Sequence, residues 1–281
     1  MMRMDRFEKH MADVVLYGSV LLVLVFFYIP IATLILFSFT ESRFLSWPIP
    51  GFSTRWYAEL LADRDFWAAL RNSALLAVAT TLLATLFGIG GAFAWIRYRF
   101  RFQWAVRVLT FAPLLFPQLL LGVVMLLWFS VLAGWLNFSP GLWSAVIGHV
   151  VYITPFCIVI ISVQMHGFDE TLEYAAEDAG ASRWQILREV TLPLIWPGIF
   201  SAATFAFLLS WGNFYITYSL SGSARTLPTY VFSGIAVGSS PIYPALATLT
   251  FLPALVLIFA VDRLRRRAAR RRLAGAADDA A

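Results

Sequence analysis

The residues best equipped for chemistry in this 281-residue chain lie together: Asp169, Glu170, Glu173, Glu177 and Asp178 share one stretch with Leu172, Ala175, Ala176 and Ala179. The apolar members recur at i, i+3, i+4 and i+7, which puts them on one face of a helix. A flat face of small side chains suits docking into a groove of another protein, so this is a chemistry of recognition. Phosphate backbones would be repelled by the acids, which excludes nucleic acid. Other reactive groups stand alone. Cys157 is the single cysteine and cannot pair within the chain; it reads as a small buried apolar residue. His149 reads as a neutral histidine bonded to a neighbouring helix rather than as a proton relay. There is no Walker-type phosphate loop. No clustered His, Asp or Glu occupies the apolar segments, which excludes a membrane enzyme.

Two helices must carry the acidic stretch. Asp169 caps the first, and Gly180 ends it as a residue free to take positive φ. Ser182 and Gln185, spaced as a capping box, start the second, and Pro193 is expected to limit it. Glu173 and Glu177 repel each other at i, i+4, a cost that a basic partner opposite them would offset.

The rest of the chain is lipid-soluble. It is 60% hydrophobic and 13% charged, with mean hydropathy +0.76, against roughly 25% charged in soluble domains. Charge-free gaps bounded by Asp13 and Glu41, Arg71 and Arg97, Arg107 and Asp169, Glu189 and Arg225, and Arg225 and Asp262 predict six spans at roughly 20 residues per crossing. They fall at 14–39, 72–96, 108–133, 142–165, 192–220 and 242–261. Sixteen of the 21 basic residues then lie on the side of the termini, so both termini are expected to be cytoplasmic. The first span reads as a retained helix. The arginine-rich tail, 262–281, fixes topology and meets acidic headgroups.

Ser53 to Ala69 carries Trp56, Tyr57, Leu60, Leu61 and Trp67 among charges. It reads either as a short amphipathic helix at headgroup level or as a loop with aromatic belt residues. Ala84, Gly88 and Ala92 repeat every fourth residue, as close packing of helices in lipid requires. Pro30, Pro113, Pro117, Pro155 and Pro253 lie in or near spans, and the pair 113/117 makes the third span the expected site of a kink.

The pattern Tyr174-Ala175-Ala176-x3-Gly180-x9-Val190-x-Leu192-Pro193 resembles the EAA motif of binding-protein-dependent ABC importer permeases, matching its spacing at every step. Tyr174 stands where that motif has Glu, and Glu173 offers the acid one position early, which leaves open the basic group it pairs with. Tyr28-Ile-Pro-Ile, Ser38-Phe-Thr, Phe52-Ser-Thr-Arg-Trp-Tyr, Asn72-Ser, Tyr98-Arg-Phe-Arg and Gly167-Phe-Asp are similar to stretches of the spermidine/putrescine branch of those permeases.

The resemblance implies an all-α, polytopic, six-helix permease of type I ABC importer (MetI-like) fold. It would be a single domain over 1–281, with its coupling loop at 166–193. It further implies a bacterial inner-membrane location, a second homologous permease subunit, an ATPase dimer carrying ATP and Mg, and an extracytoplasmic solute-binding protein. No cofactor is expected in this chain. Glu173, Tyr174, Ala175, Ala176, Gly180, Leu192 and Pro193 would couple it to the ATPase.

The expected cargo is a small polar solute, a polyamine or a related small organic compound. No span carries an acidic residue, and Asn213 stands in the part of the fifth span where the branch carries a Met-Asp-Asp run, which argues against a polyamine. Trp211, Asn213, Tyr215 and Thr217 either line a polar pathway or hydrogen-bond between helices. The rival class is an ion-coupled secondary transporter or channel, which calls for intramembrane ionisable residues or a repeat of broken helices.

Overall fold

The computed structural model describes residues 6–136, 139–238, 240–251 and 263, and every regular element among them is helical. Helices α1 (Arg6–Ser38), α2 (Arg55–Ala62), α3 (Arg64–Ile96), α4 (Gln103–Phe111), α5 (Gln118–Leu136) and α6 (Leu142–His166) come first. They are followed by α7 (Thr171–Asp178), α8 (Arg183–Gln185), α9 (Leu192–Trp211), α10 (Tyr215–Leu220), α11 (Leu227–Val237) and α12 (Ile242–Phe251). Among the described residues, five helical stretches are long and apolar enough to cross a membrane: Met11–Ser38, Arg64–Ile96, Gln118–Trp135, Leu142–His166 and Arg183–Trp211. The sixth expected span opens at Ile242 and is described as far as Phe251; its remainder, Pro253 and the basic tail beyond Arg263 lie outside the described residues.

The chain forms two compact units. In Arg64–Ser233, α3, α6 and α9 pack on one another around Ala84, Ala92, Ile153, Ile161, Ala202 and Ala206. Small residues on facing helices let backbones approach closely, which drives association where lipid removes the hydrophobic incentive. A methyl group on Gly88 would lie 2.5 Å from the Cys157 Cβ, so glycine is what this crossing admits. Leu76, Leu121, Phe129, Val146, Ile216 and Leu220 form a second core where α10 meets α5 and α6. In the other unit, the Trp56 Nε1–H donates to the Thr40 carbonyl at 2.7 Å and Ser38 Oγ meets the Tyr57 hydroxyl at 2.7 Å, fastening α2 to the end of α1.

Four expectations need correction. Of the two readings of Ser53 to Ala69, the helix is present as α2 but stops at Ala62, because Asp63 is extended; Arg64 already opens α3, so the helix that carries the second span starts earlier than 72. The third span is not one helix over 108–133. A 3₁₀ turn, Ala112–Leu115, and an extended Phe116 separate α4 from α5, since the residue before a proline avoids the helical region. The fifth span breaks at Gly212–Phe214 and resumes as α10; glycine and asparagine are poor helix formers, and Asn213 bonds the backbone ahead of it instead. Pro193 does not end its helix. Residues Ile186–Thr191 form a π-helical turn that runs directly into α9, with the Leu192 N–H reaching back to the Leu187 carbonyl. The widened turn accommodates a ring that has no N–H to place.

Candidate coupling site

The acidic stretch folds by local rules. Asp169 lies just outside α7, and its carboxylate accepts from the Thr171 backbone N–H (3.0 Å) and hydroxyl (2.8 Å). These bonds hold its pKa below the ordinary carboxylate value, since both favour the charged form. Gly180 takes φ +86°. The Gly180 N–H returns to the Glu177 carbonyl (2.9 Å) and the Ala181 N–H to the Ala176 carbonyl (3.0 Å), the paired bonds of a Schellman end. Ser182 and Gln185 then cap each other reciprocally at the start of α8.

A cation from α3 organises the turn. Arg97 Nη1 lies 2.9 Å from Glu170 Oε1, and Nη2 lies 2.9 Å from Glu173 Oε1. Its guanidinium also sits 5.6 Å from the Phe168 ring centroid. The Thr191 hydroxyl donates to the same Glu173 oxygen. One carboxylate thus joins the end of α3, the first turn of α7 and the π-helical turn. A cavity of about 420 Å³ opens beside this node, between Tyr98, Tyr174, Glu177, Arg183 and Leu187.

The motif residues divide by what covers them. Glu173 is drawn inward onto Arg97, whereas Tyr174 is 61% exposed. Ala175 and Gly180 are exposed, Ala176 and Leu192 half-buried, and Pro193 exposed. Leu172 and Trp184 add exposed apolar surface to the same turn. In the sequence Arg97 marks only the end of a charge-free run. Its place as the first charge after a long apolar stretch marks the end of a span, and nothing local to it points to a partner 76 positions away.

The four residues named for a pathway separate into two groups. Asn213 is 7% exposed; its Oδ1 accepts from the Ile216 N–H (3.1 Å) and its Nδ2 donates to Gln118 Oε1 (3.3 Å). The fully buried Thr217 donates to the Asn213 carbonyl (2.8 Å) and meets His149 Nε2 (2.9 Å), while His149 Nδ1 meets Ser210 Oγ (2.8 Å). These contacts join α6, α9 and α10 across the break. Trp211 stacks on Phe207 with centroids 5.7 Å apart, and Tyr215 is half exposed beside Phe214. Gln118 and Ser210 complete the polar cluster and were not singled out in the sequence; an isolated amide or hydroxyl in an apolar run offers little local signal.

The chain is 34% identical over 251 residues to the spermidine/putrescine transport system permease protein PotC of Escherichia coli K12, covering 89% of this chain and 93% of that one. It is also 34% identical to the putrescine transport system permease protein PotI of the same organism, covering 88% and 89%. Its fold superposes on a chain of the bacterial alginate ABC transporter in complex with an alginate pentasaccharide-bound periplasmic protein, with TM-score 0.67, 16% identity, and 94% and 98% of the two chains covered. The family model of the binding-protein-dependent transport system inner membrane component matches residues 84–273, a stretch that contains α6, the Arg97 node and α9, and with these relatives it places the chain in that family, as a permease subunit of an ABC importer.

Proposed function

We propose that α7 and the turn after it dock this permease into an ATPase partner, and that the importer carries a small polar organic solute of the polyamine-related class. The observation that carries the first part is the exposed surface of Leu172, Tyr174, Ala175 and Trp184 beside a carboxylate tied to α3. A push on α7 therefore has a bonded route into a long span. Docking through Tyr174, Ala175, Ala176 and Gly180, with Leu192 and Pro193 joining the loop to α9, converts ATPase closure into helix movement. Only contacts that differ between two states can shift their balance. In this assembly ATP and Mg sit on an ATPase dimer, a second homologous permease completes the pathway, and an extracytoplasmic binding protein delivers the solute. Both termini are cytoplasmic, which the distribution of basic residues supports.

The solute class is supported by the names of the relatives, one a spermidine/putrescine and one a putrescine permease. Asn213 and Gln118 offer an amide pair rather than a carboxylate at the break in the fifth span, so this chain contributes hydrogen bonds to the path and no counter-ion. The test is ATP-driven uptake of putrescine, spermidine and neutral amides by the complete complex in proteoliposomes containing loaded binding protein. Copurification of an ATPase and a second permease with ATP-dependent uptake supports the reading. Uptake by the purified chain alone, driven by an ion gradient, would instead establish the secondary transporter.

A further inference from the structure

The segment 98–111 joins the end of α3 to the proline turn and keeps its side chains on the outside. α4 buries none of its nine residues. At about 1.5 Å per residue it rises roughly 14 Å, less than half of the ~30 Å hydrocarbon core, so it cannot span. It is nevertheless pinned to α3. Gln103 Nε2 donates to the Trp95 and Tyr98 carbonyls (3.0 Å each), and Arg107 Nη2 donates to the Trp95 carbonyl (3.0 Å). A helix fixed at the end of a span, with Trp104, Val108 and Leu109 exposed, must meet either lipid or protein.

Its charges decide between them. Tyr98, Phe100 and Phe102 alternate with Arg99 and Arg101, and the three rings are exposed. Arg97 spends its guanidinium on Glu170 and Glu173. Arg99 and Arg101, by contrast, make no hydrogen bond or ion pair among the described residues; Arg101 only lies 5.6 Å from the Phe102 ring centroid. Aromatic rings with one apolar and one wet side, interleaved with uncommitted guanidinium groups, match the level where acyl chains meet phosphates. A fork of N–H donors also suits a phosphate.

We propose that the segment 98–109 is a lipid-binding foot: its aromatic and aliphatic side chains enter the cytoplasmic leaflet, and Arg99 and Arg101 bind the phosphates of anionic phospholipid. The foot is bonded to the same end of α3 that holds the coupling node, so lipid here steadies the element on which α7 pulls. Placement in the cytoplasmic leaflet rests on the orientation proposed above; the lipid binding does not.

Native mass spectrometry of the purified full chain, titrated with phosphatidylglycerol and separately with phosphatidylcholine, tests the assignment. The pair Arg99→Gln with Arg101→Gln is expected to bind phosphatidylglycerol about thirtyfold more weakly, from roughly 1 kcal/mol for each basic residue near an anionic surface. The pair Arg183→Gln with Arg188→Gln, in the coupling loop, should leave binding unchanged. Equal loss in both pairs, or no loss in the first, overturns the proposal. If the first pair does not fold, Arg99→Lys with Arg101→Lys replaces it: phosphatidylglycerol binding that weakens with added salt supports the foot, and salt-independent binding overturns it. Should the glutamine pair keep its lipid but release a protein subunit from the complex, the patch is a protein interface and the lipid assignment falls. Labelling of an Arg99→Cys variant from the outside of intact cells would sink the orientation alone.

Discussion

Arg97 and Glu173, 76 positions apart in the chain, meet at 2.9 Å where α3 ends and α7 makes its first turn. Each side chain is 21% exposed, so the pair is neither fully screened by water nor stranded from it. Thr191 donates to the same carboxylate oxygen and ties in the π-helical turn. In a double-mutant cycle of Arg97→Gln and Glu173→Gln, the coupling energy in the solubilised complex should be about 1–2 kcal/mol, in the range of a charge-assisted hydrogen bond at a partly exposed site. Either single variant should also lower solute-stimulated ATPase activity while the complex stays assembled. A coupling energy near zero would show that the node does not connect the two helices energetically.

Gly180 is held at φ +86°, where a Cβ costs roughly 1–2 kcal/mol. Gly180→Ala should therefore speed amide exchange at Ala181, while Gly180→Asn should lie between the two because asparagine tolerates that region. Gly180→Pro also deletes the N–H that reaches the Glu177 carbonyl, so it and Ala176→Asp should reduce solute-stimulated ATPase to its basal rate. Stimulation at the wild-type level in both would refute the coupling role.

His149 is fully buried and bonded through both ring nitrogens. His149→Leu leaves the Ser210 and Thr217 hydroxyls without this partner, at a cost of about 1–3 kcal/mol. Thermal unfolding of the solubilised protein should show it, and Ser210→Ala added to that variant should recover part of the loss. Unchanged stability in His149→Leu would mean that the cluster contributes nothing to the join between α6, α9 and α10.

Gly88→Val should destabilise the α3–α6 crossing by about 1–3 kcal/mol, the usual cost of overpacking, because the added Cβ would meet Cys157. Cys157→Gly in the same chain should restore part of it. Additive losses in the double variant would place the strain elsewhere.

Asp169 has a lowered pKa owing to its bonds from Thr171. A carboxylate stabilised in the folded state contributes stability above its unfolded pKa and loses it as pH falls through the folded one. Protection of the Thr171 amide from exchange should therefore decline in acid, and Thr171→Val should move the decline to higher pH. The same midpoint in both chains would assign the shift to another cause.

Much of this molecule was legible in one dimension because the forces concerned act locally along the chain. Charge-free runs mark spans through the cost of charge in hydrocarbon. Gly180 and the Ser182/Gln185 pair write a turn whose bonds close within a few residues, and the EAA spacing follows from that turn. Ala84, Gly88 and Ala92 announced close packing, though not that Cys157 would be the neighbour. What the tertiary structure decided is pairing and interruption. It gave Glu173 a partner on α3, closed His149 between Ser210 and Thr217, carried a helix past Pro193 through a π-helical turn, and broke the third and fifth spans at 112–117 and 212–214. Each of these depends on which groups lie within a few ångströms once distant segments have packed, and hydropathy and local propensity contain no record of that distance.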